Sequence, residues 1–288
     1  MLGMYEIAAV AAAGRAIRVT TEEPALAAFV RDYLDCFLAS DAPDSGDEGA
    51  VVRIVADYDV PPIPGETTVA IAAGVPLTEE NQFHVCFRVT QAMAAVLLDS
   101  GVALLHAGLA EIAGRRVLLA GASGAGKTTA GRRLPTPWRS LSDDATQVLF
   151  DERGAACAAP WPTISRITSG ACSERWACND VAPLAAIFYL RHSAADELRR
   201  MGGAEAAGNL YVSMRQFYAV RLAVRTARPW MVAPSDLLTA AQRVAKAVPT
   251  YELGHARWGR FWELIESAID GAPPAESATG GAGRARET

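Results

Sequence analysis

Residues 117–129 read VLLAGASGAGKTT, and this stretch decides what the chain can be. Val117 to Ala120 is an apolar run with the look of a buried strand. A glycine-rich turn follows, and Lys127 and Thr128 open a helix-compatible segment that continues as TAGRRL. Gly121 to Thr128 satisfies G-x-x-x-x-G-K-[ST], the phosphate-loop pattern. The glycines let the backbone curl until successive N–H groups point at phosphate oxygens, and the helix start adds its positive dipole end. The expected cradle is therefore Gly121, Ala122, Ser123, Gly124, Ala125, Gly126, Lys127, Thr128 and Thr129. Lys127 would reach the terminal phosphates and the Thr128 hydroxyl would bind the accompanying Mg²⁺. The competing reading is an ordinary strand-to-helix turn that carries a lysine by chance.

The rest of the chain supplies the setting. Its 288 residues suffice for one large domain, or for a core domain with an appendage. With 51% hydrophobic and 20% charged residues it has the makings of a sizeable core. A net charge of −5 gives no support for nucleic-acid binding, which shows a basic surplus. Lys127 and Lys246 are the two lysines among 27 basic residues. One of them thus stands where a compact, flexible point charge suits a phosphate. The cysteines at 36, 86, 157, 172 and 178 form no close metal-ligand pairs. Their odd number without a secretory signal suggests reduced thiols in the cytoplasm. No apolar run is long enough to span a bilayer, so no membrane partner is expected.

Taken in order, residues 4–20 read as two strands joined at Ala13-Gly14, and Thr21-Glu22-Glu23-Pro24 opens a helix. Strand-like runs are expected at 51–56, 67–72 and 82–88, and a short helix from Thr90 to Ser100. ALLHAGLAEIAGRRVLLAG reads as two strands turned at Ala113-Gly114, the second feeding the loop. RSLS and TQVLF are strands on either side of Asp143-Asp144. Residues 153–182 read as a long irregular loop carrying Arg166. PLAAIFYL (183–190) is a buried strand, and Asp196 to Gly208 a polar, mobile segment. Helices are expected at 210–226, 235–248 and 258–270, with TYEL a strand before the last. The tail from Gly271 has the composition of disorder. The architecture is α/β, a mixed α+β sheet core divided into a flanking region at 1–100, a phosphate-loop domain at 101–270 and a tail at 271–288.

Two neighbours narrow what the loop can do. Asp143-Asp144 lies sixteen and seventeen residues beyond Lys127. Paired carboxylates at a strand end near bound Mg²⁺ suit two tasks, holding the metal and accepting a proton from an attacking hydroxyl. A hydrogen-bonded turn is the ordinary alternative. His106, in LLHAGLAEI, is open between a core role and a site role. A hairpin would bring it near the sheet end where the phosphates sit. His84, His192 and His255 default to structural or surface roles.

Together, LLHAGLAEIAGRRVLLAGASGAGKTTAGRRL and SLSDDATQV resemble the catalytic domain of HPr kinase/phosphorylase, whose nucleotide-binding core is shared with PEP carboxykinase. The match carries His106, Gly121, Ser123, Gly124, Gly126, Lys127, Thr128, Asp143 and Asp144. It is detailed over about 102–150 and weaker to about 270. The resemblance implies a PEP carboxykinase-like phosphate-loop fold and an ATP- and Mg²⁺-dependent serine kinase acting on a protein or peptide. It implies Asp144 as general base, Asp143 beside the metal, and His106 near the metal or phosphates. Lys127 and Arg166 would be the cations on the transferring phosphoryl group. Homo-oligomers are likewise implied. The chain lacks the glycine- and arginine-rich stretch that accompanies the reverse, phosphorylase reaction. In this it resembles the HPr-kinase-like outliers, some of which look associated with ribosomally made peptide pathways. The alternatives are a nucleotide-gated binding module without phosphotransfer and a kinase of a small-molecule hydroxyl.

Overall fold

A computed structural model describes residues 5–12, 15–35, 50–55, 66–70, 79–161, 178–218 and 232–271. The chain is a mixed α/β protein built on two sheets. The first has four strands in the order β1 (Tyr5–Ala12), β2 (Arg15–Thr21), β3 (Ala50–Val55) and β4 (Glu66–Ala70). The β1–β2 pair is antiparallel and the other two pairings are parallel. Between β2 and β3 runs α1 (Pro24–Asp35), which starts where the sequence signals it. The Thr21 hydroxyl accepts the Glu23 N–H at 3.2 Å, and Pro24, which has no N–H to satisfy, takes the first helical position.

α2 (Glu79–Asp99) follows, and here the structure corrects the expected strand at 82–88. QFHVCFR has the apolar, β-branched and aromatic content of a strand. However, Val85, Cys86, Val89, Ala92, Met93, Val96 and Leu97 are all buried at helical spacing. The face continues without a break into the segment read as a separate short helix, and a single 21-residue helix buries all of it. α2 packs on β3 and β4 and also on the start of the larger sheet.

The larger sheet has nine strands. In chain order they are β5 (Ala103–Leu105), β6 (Ala107–Ile112), β7 (Arg115–Ala120), β8 (Arg139–Ser142), β9 (Ala145–Phe150), β10 (Ala156–Trp161), β11 (Ala182–His192), β12 (Glu197–Arg200) and β13 (Thr250–His255). The helices are α3 (Lys127–Arg133), α4 (Gly203–Tyr218), α5 (Pro234–Ala247) and α6 (Phe261–Ile269). The path runs β5-β9-β10-β11-β7-β6-β8, with β13 beside β11 and β12 beyond it. The β6–β7 hairpin turns at Ala113-Gly114 as expected, both residues at positive φ, the primed turn that matches strand twist. At its centre β7, β11 and β13 lie parallel and adjacent. Alternate residues of β7 serve opposite faces. Leu118 and Ala120 join the core formed with α2, α4 and α5. Val117 and Leu119 join a second core with Phe188, Leu253, Phe261 and Ile265, under α3 and α6. A strand covered on both faces reads as a continuous apolar run, which is why VLLA and AAIFYL were legible.

Two more expectations are corrected. Residues 156–161, read as irregular, form β10, paired with β9 from Ala156↔Phe150 to Trp161↔Ala145. Pro160 suggested a break, yet its carbonyl accepts a hydrogen bond from the Gln147 amide at 3.1 Å and the strand persists. Residues 197–208, read as mobile, hold β12 and the first turns of α4. A lattice of ion pairs fixes them: Arg191 to Glu197 and Glu252, and Arg199 to Glu205 and Glu252. α4 accordingly begins seven residues before the expected helix at 210. Residues 162–177, Arg166 among them, residues 219–226 of that helix, and the tail beyond 271 lie outside the described residues. Among the described residues no helix is long and apolar enough to cross a membrane.

Candidate active site

β7 ends at Ala120 and the chain turns through Gly121–Gly126 into α3. Gly121 adopts φ 150° and packs so tightly that a Cβ there would lie 2.9 Å from the Ala125 Cβ and 3.0 Å from the Leu190 carbonyl oxygen. Gly126, at φ 90°, precedes the first helical residue, and no side chain caps that end. Ala122, Ser123 and Gly124 face solvent. The loop is thus a closely packed turn with an open outer side, the form a phosphate cradle needs.

Lys127 folds back across the loop. Its Nζ donates to the carbonyls of Gly121 at 3.0 Å and Ala122 at 3.2 Å. The lysine is buried, and burial pulls its pKa below the ordinary value, a pull opposed by the charge of Asp144. A desolvated ammonium beside a carboxylate gains from any anion placed with it, because its electrostatic interactions are poorly screened.

Asp144 lies in the tight β8–β9 turn. That turn is tied to β6 by a hydroxyl relay: Ser142 Oγ meets Thr146 Oγ1 at 3.1 Å, and Thr146 Oγ1 donates to the Ala107 carbonyl at 2.9 Å. Gly108 allows the approach, since a Cβ there would stand 3.2 Å from the Ser142 carbonyl oxygen and 3.6 Å from Asp143 Cα. His106 sits at the break between β5 and β6, and its Nε2 lies 2.7 Å from Asp144 Oδ1. The hydrogen bond from His106 holds the Asp144 carboxyl below the ordinary carboxylate range. Burial works against this, and the charges of His106 and Lys127 add to it. Three residues far apart in sequence, His106, Lys127 and Asp144, therefore form one electrostatic unit beside the loop. α4 holds the histidine in place. Ser213 Oγ donates to the His106 carbonyl at 3.2 Å, Phe217 meets its ring edge-on at 6.4 Å, and the Tyr218 hydroxyl accepts the Leu104 N–H at 3.0 Å.

Among the described residues no group of three or more His, Cys, Asp or Glu side chains could hold a metal by itself. The two donors expected from the sequence, the Thr128 hydroxyl at the start of α3 and the Asp143 carboxylate in the β8–β9 turn, are hard oxygens. One or two such donors completed by water and substrate phosphates suit Mg²⁺, whereas a Zn²⁺ site would ask for imidazole or thiolate.

His192 and His255, expected from the sequence to have structural or surface roles, also lie against the loop. They end β11 and β13 side by side, in register, with rings 5.0 Å apart. His192 Nε2 lies 3.0 Å from the Gly124 carbonyl oxygen and His255 Nε2 3.0 Å from that of Ala125. Nothing local marks them; a strand-end position in a parallel sheet was the one available signal. Residues 78–270, more than half of the chain, match the family model described as SynChlorMet cassette protein ScmC. No curated protein matches the chain.

Proposed function

The chain belongs to the ScmC family, and we propose that it is an ATP- and Mg²⁺-dependent kinase that transfers the γ-phosphoryl group to a hydroxyl, a serine of a protein or peptide. One observation carries this. The Asp144 carboxylate is kept ionised by His106 at 2.7 Å and lies within the electrostatic reach of the phosphate-loop lysine. An ionised carboxylate in that place can orient a hydroxyl that attacks a phosphate held by the loop and can take up its proton. The PEP carboxykinase-like fold implied by the sequence resemblance is supported by a loop that follows one central parallel strand, β7, and an aspartate pair that follows the edge strand β8, one strand beyond β6.

The roles follow from the groups. The loop N–H groups and Lys127 hold the β- and γ-phosphates, and Lys127 offsets the charge gathering on the transferring group. Mg²⁺, held by Thr128 and Asp143, would supply further neutralisation of the phosphate oxygens. His106 occupies Asp144 Oδ1 and leaves Oδ2 to take the proton. The acceptor oxygen forms its bond to Pγ as the Pγ–O bond to ADP breaks, the leaving oxygen keeps the electron pair, and the hydroxyl proton passes to Asp144. A carboxylate this acidic is a weak base. Phosphoryl transfer asks little of one, because its transition state is loose and catalysis is mainly positioning and electrostatics.

Since the family is described as a cassette protein, the products encoded beside this chain are the first acceptors to test. With γ-labelled ATP, the wild-type chain should add one phosphoryl group to such a product. Asp144→Asn should lower that rate by at least about a hundredfold. An unchanged rate removes Asp144 from the mechanism. Tight ATP binding with no transfer to any acceptor, in its place, identifies a nucleotide-gated binding module.

A further inference from the structure

We propose that His192 and His255 form a paired latch that sets the backbone of the phosphate loop, acting as positioning residues for the phosphate chain. This rests on the phosphate-binding function proposed above. The geometry is specific. A carbonyl oxygen can only accept, so the contacts to Gly124 and Ala125 require a proton on Nε2 of each ring. Two consecutive loop carbonyls are thereby held against the ends of β11 and β13. A trans peptide points its N–H opposite its C=O. Holding the Ala125 carbonyl toward His255 therefore aims the Gly126 N–H the other way, into the loop. Holding the Gly124 carbonyl toward His192 likewise directs the Ala125 N–H inward, where it closes the turn on the Ala122 carbonyl at 3.0 Å.

The rings also shape the loop sterically. A Cβ on Gly126 would stand 3.1 Å from His255 Cε1 and 3.4 Å from His192 Cε1, so the glycine backbone lies directly against both imidazoles. His255 is itself braced. Its ring is buried and meets Phe261 at 5.9 Å, and its carbonyl accepts the Ser193 N–H at 3.2 Å, tying the two strand ends together. Its Nδ1 is buried without a hydrogen-bond partner among the described residues, so the loop contact is the one that uses this ring's polarity. A histidine kept only for the core would not need its single donor spent on a phosphate loop.

The test is calorimetric binding of inorganic tripolyphosphate and of ATP to the full chain. His192→Ala and His255→Ala should each raise both dissociation constants together, by about fivefold to tenfold, the worth of one neutral hydrogen bond. Glutamine, whose amide nitrogen reaches about as far as Nε2, should restore both to within about twofold. Asparagine, which is shorter, should not. In the wild type, ¹⁵N spectra of the two imidazoles should show the proton on Nε2. Folded alanine variants that bind both ligands as the wild type does, or a wild type protonated on Nδ1 alone, overturn the latch. If His255→Ala fails to fold, His192→Ala decides, since that ring is exposed at the surface. A wild type that binds neither ligand overturns the phosphate-binding function itself, and the latch with it.

Discussion

At the scale of single residues, the site turns on how one carboxylate is held. Asp144 accepts a hydrogen bond from His106 and faces Lys127, and both lower its pKa while burial raises it. In the wild type Asp144 is therefore ionised through the neutral and mildly acidic range. As the proposed base, Asp144 should contribute an acid limb to kcat/KM below the ordinary aspartate value of about 3.9. His106→Ala removes the largest lowering influence and leaves burial in place, so that limb should move to higher pH. A profile of kcat/KM against pH checks this, and an acid limb that stays where it was separates His106 from the base. His106 and Asp144 were legible in sequence because the loop fixed a frame and short strands carried both residues to it. His192 and His255 were not, because each belongs to the loop only through the register of two parallel strands, which no local pattern encodes.

Among the elements, β7 sets the position of the loop, and a buried cation anchors it. Arg116 is fully buried, donating to Glu111 Oε2 at 3.0 Å, to Asp180 Oδ2 at 2.6 Å, to the Ala158 carbonyl at 2.7 Å and to the Asp180 carbonyl. It thus joins β6, β10 and the approach to β11 around β7. Arg116→Met should cost about 3 kcal/mol, because Glu111 and two carbonyls lose their donor in a poorly solvated place. Urea denaturation measures it, and a loss under about 1 kcal/mol would show that water replaces the guanidinium. The exposed ion pairs around β12 differ. Arg191, Arg199, Glu197, Glu205 and Glu252 are largely solvated, so they fix the register of a short edge strand more than they stabilise it. Elements with strong periodicity or two covered faces were readable in sequence, as α1, β7, β11 and α5 show. Elements defined by partners were not. α2 needed two sheets to explain a face with strand-like composition, β10 needed β9 to carry a proline, and β12 needed charges from two other strands.

For the molecule as a whole, three parallel strands end at one place. β7 delivers the phosphate loop, β11 delivers His192, β13 delivers His255, and the β8–β9 turn brings Asp144 alongside. Open α/β sheets bind ligands at the carboxyl ends of their parallel strands, and His106, Lys127, Asp144, His192 and His255 lie at that end. In the proposed kinase the labour is divided, with Lys127 binding the phosphate chain and Asp144 acting on the acceptor. Mg²⁺·ATP titrated into Lys127→Ala and Asp144→Asn, with γ-phosphoryl transfer followed on the same samples, tests it most directly. Lys127→Ala should lose nucleotide affinity, whereas Asp144→Asn should bind nucleotide as the wild type does while transferring almost nothing. Undiminished binding by Lys127→Ala, or wild-type transfer by Asp144→Asn, would contradict it.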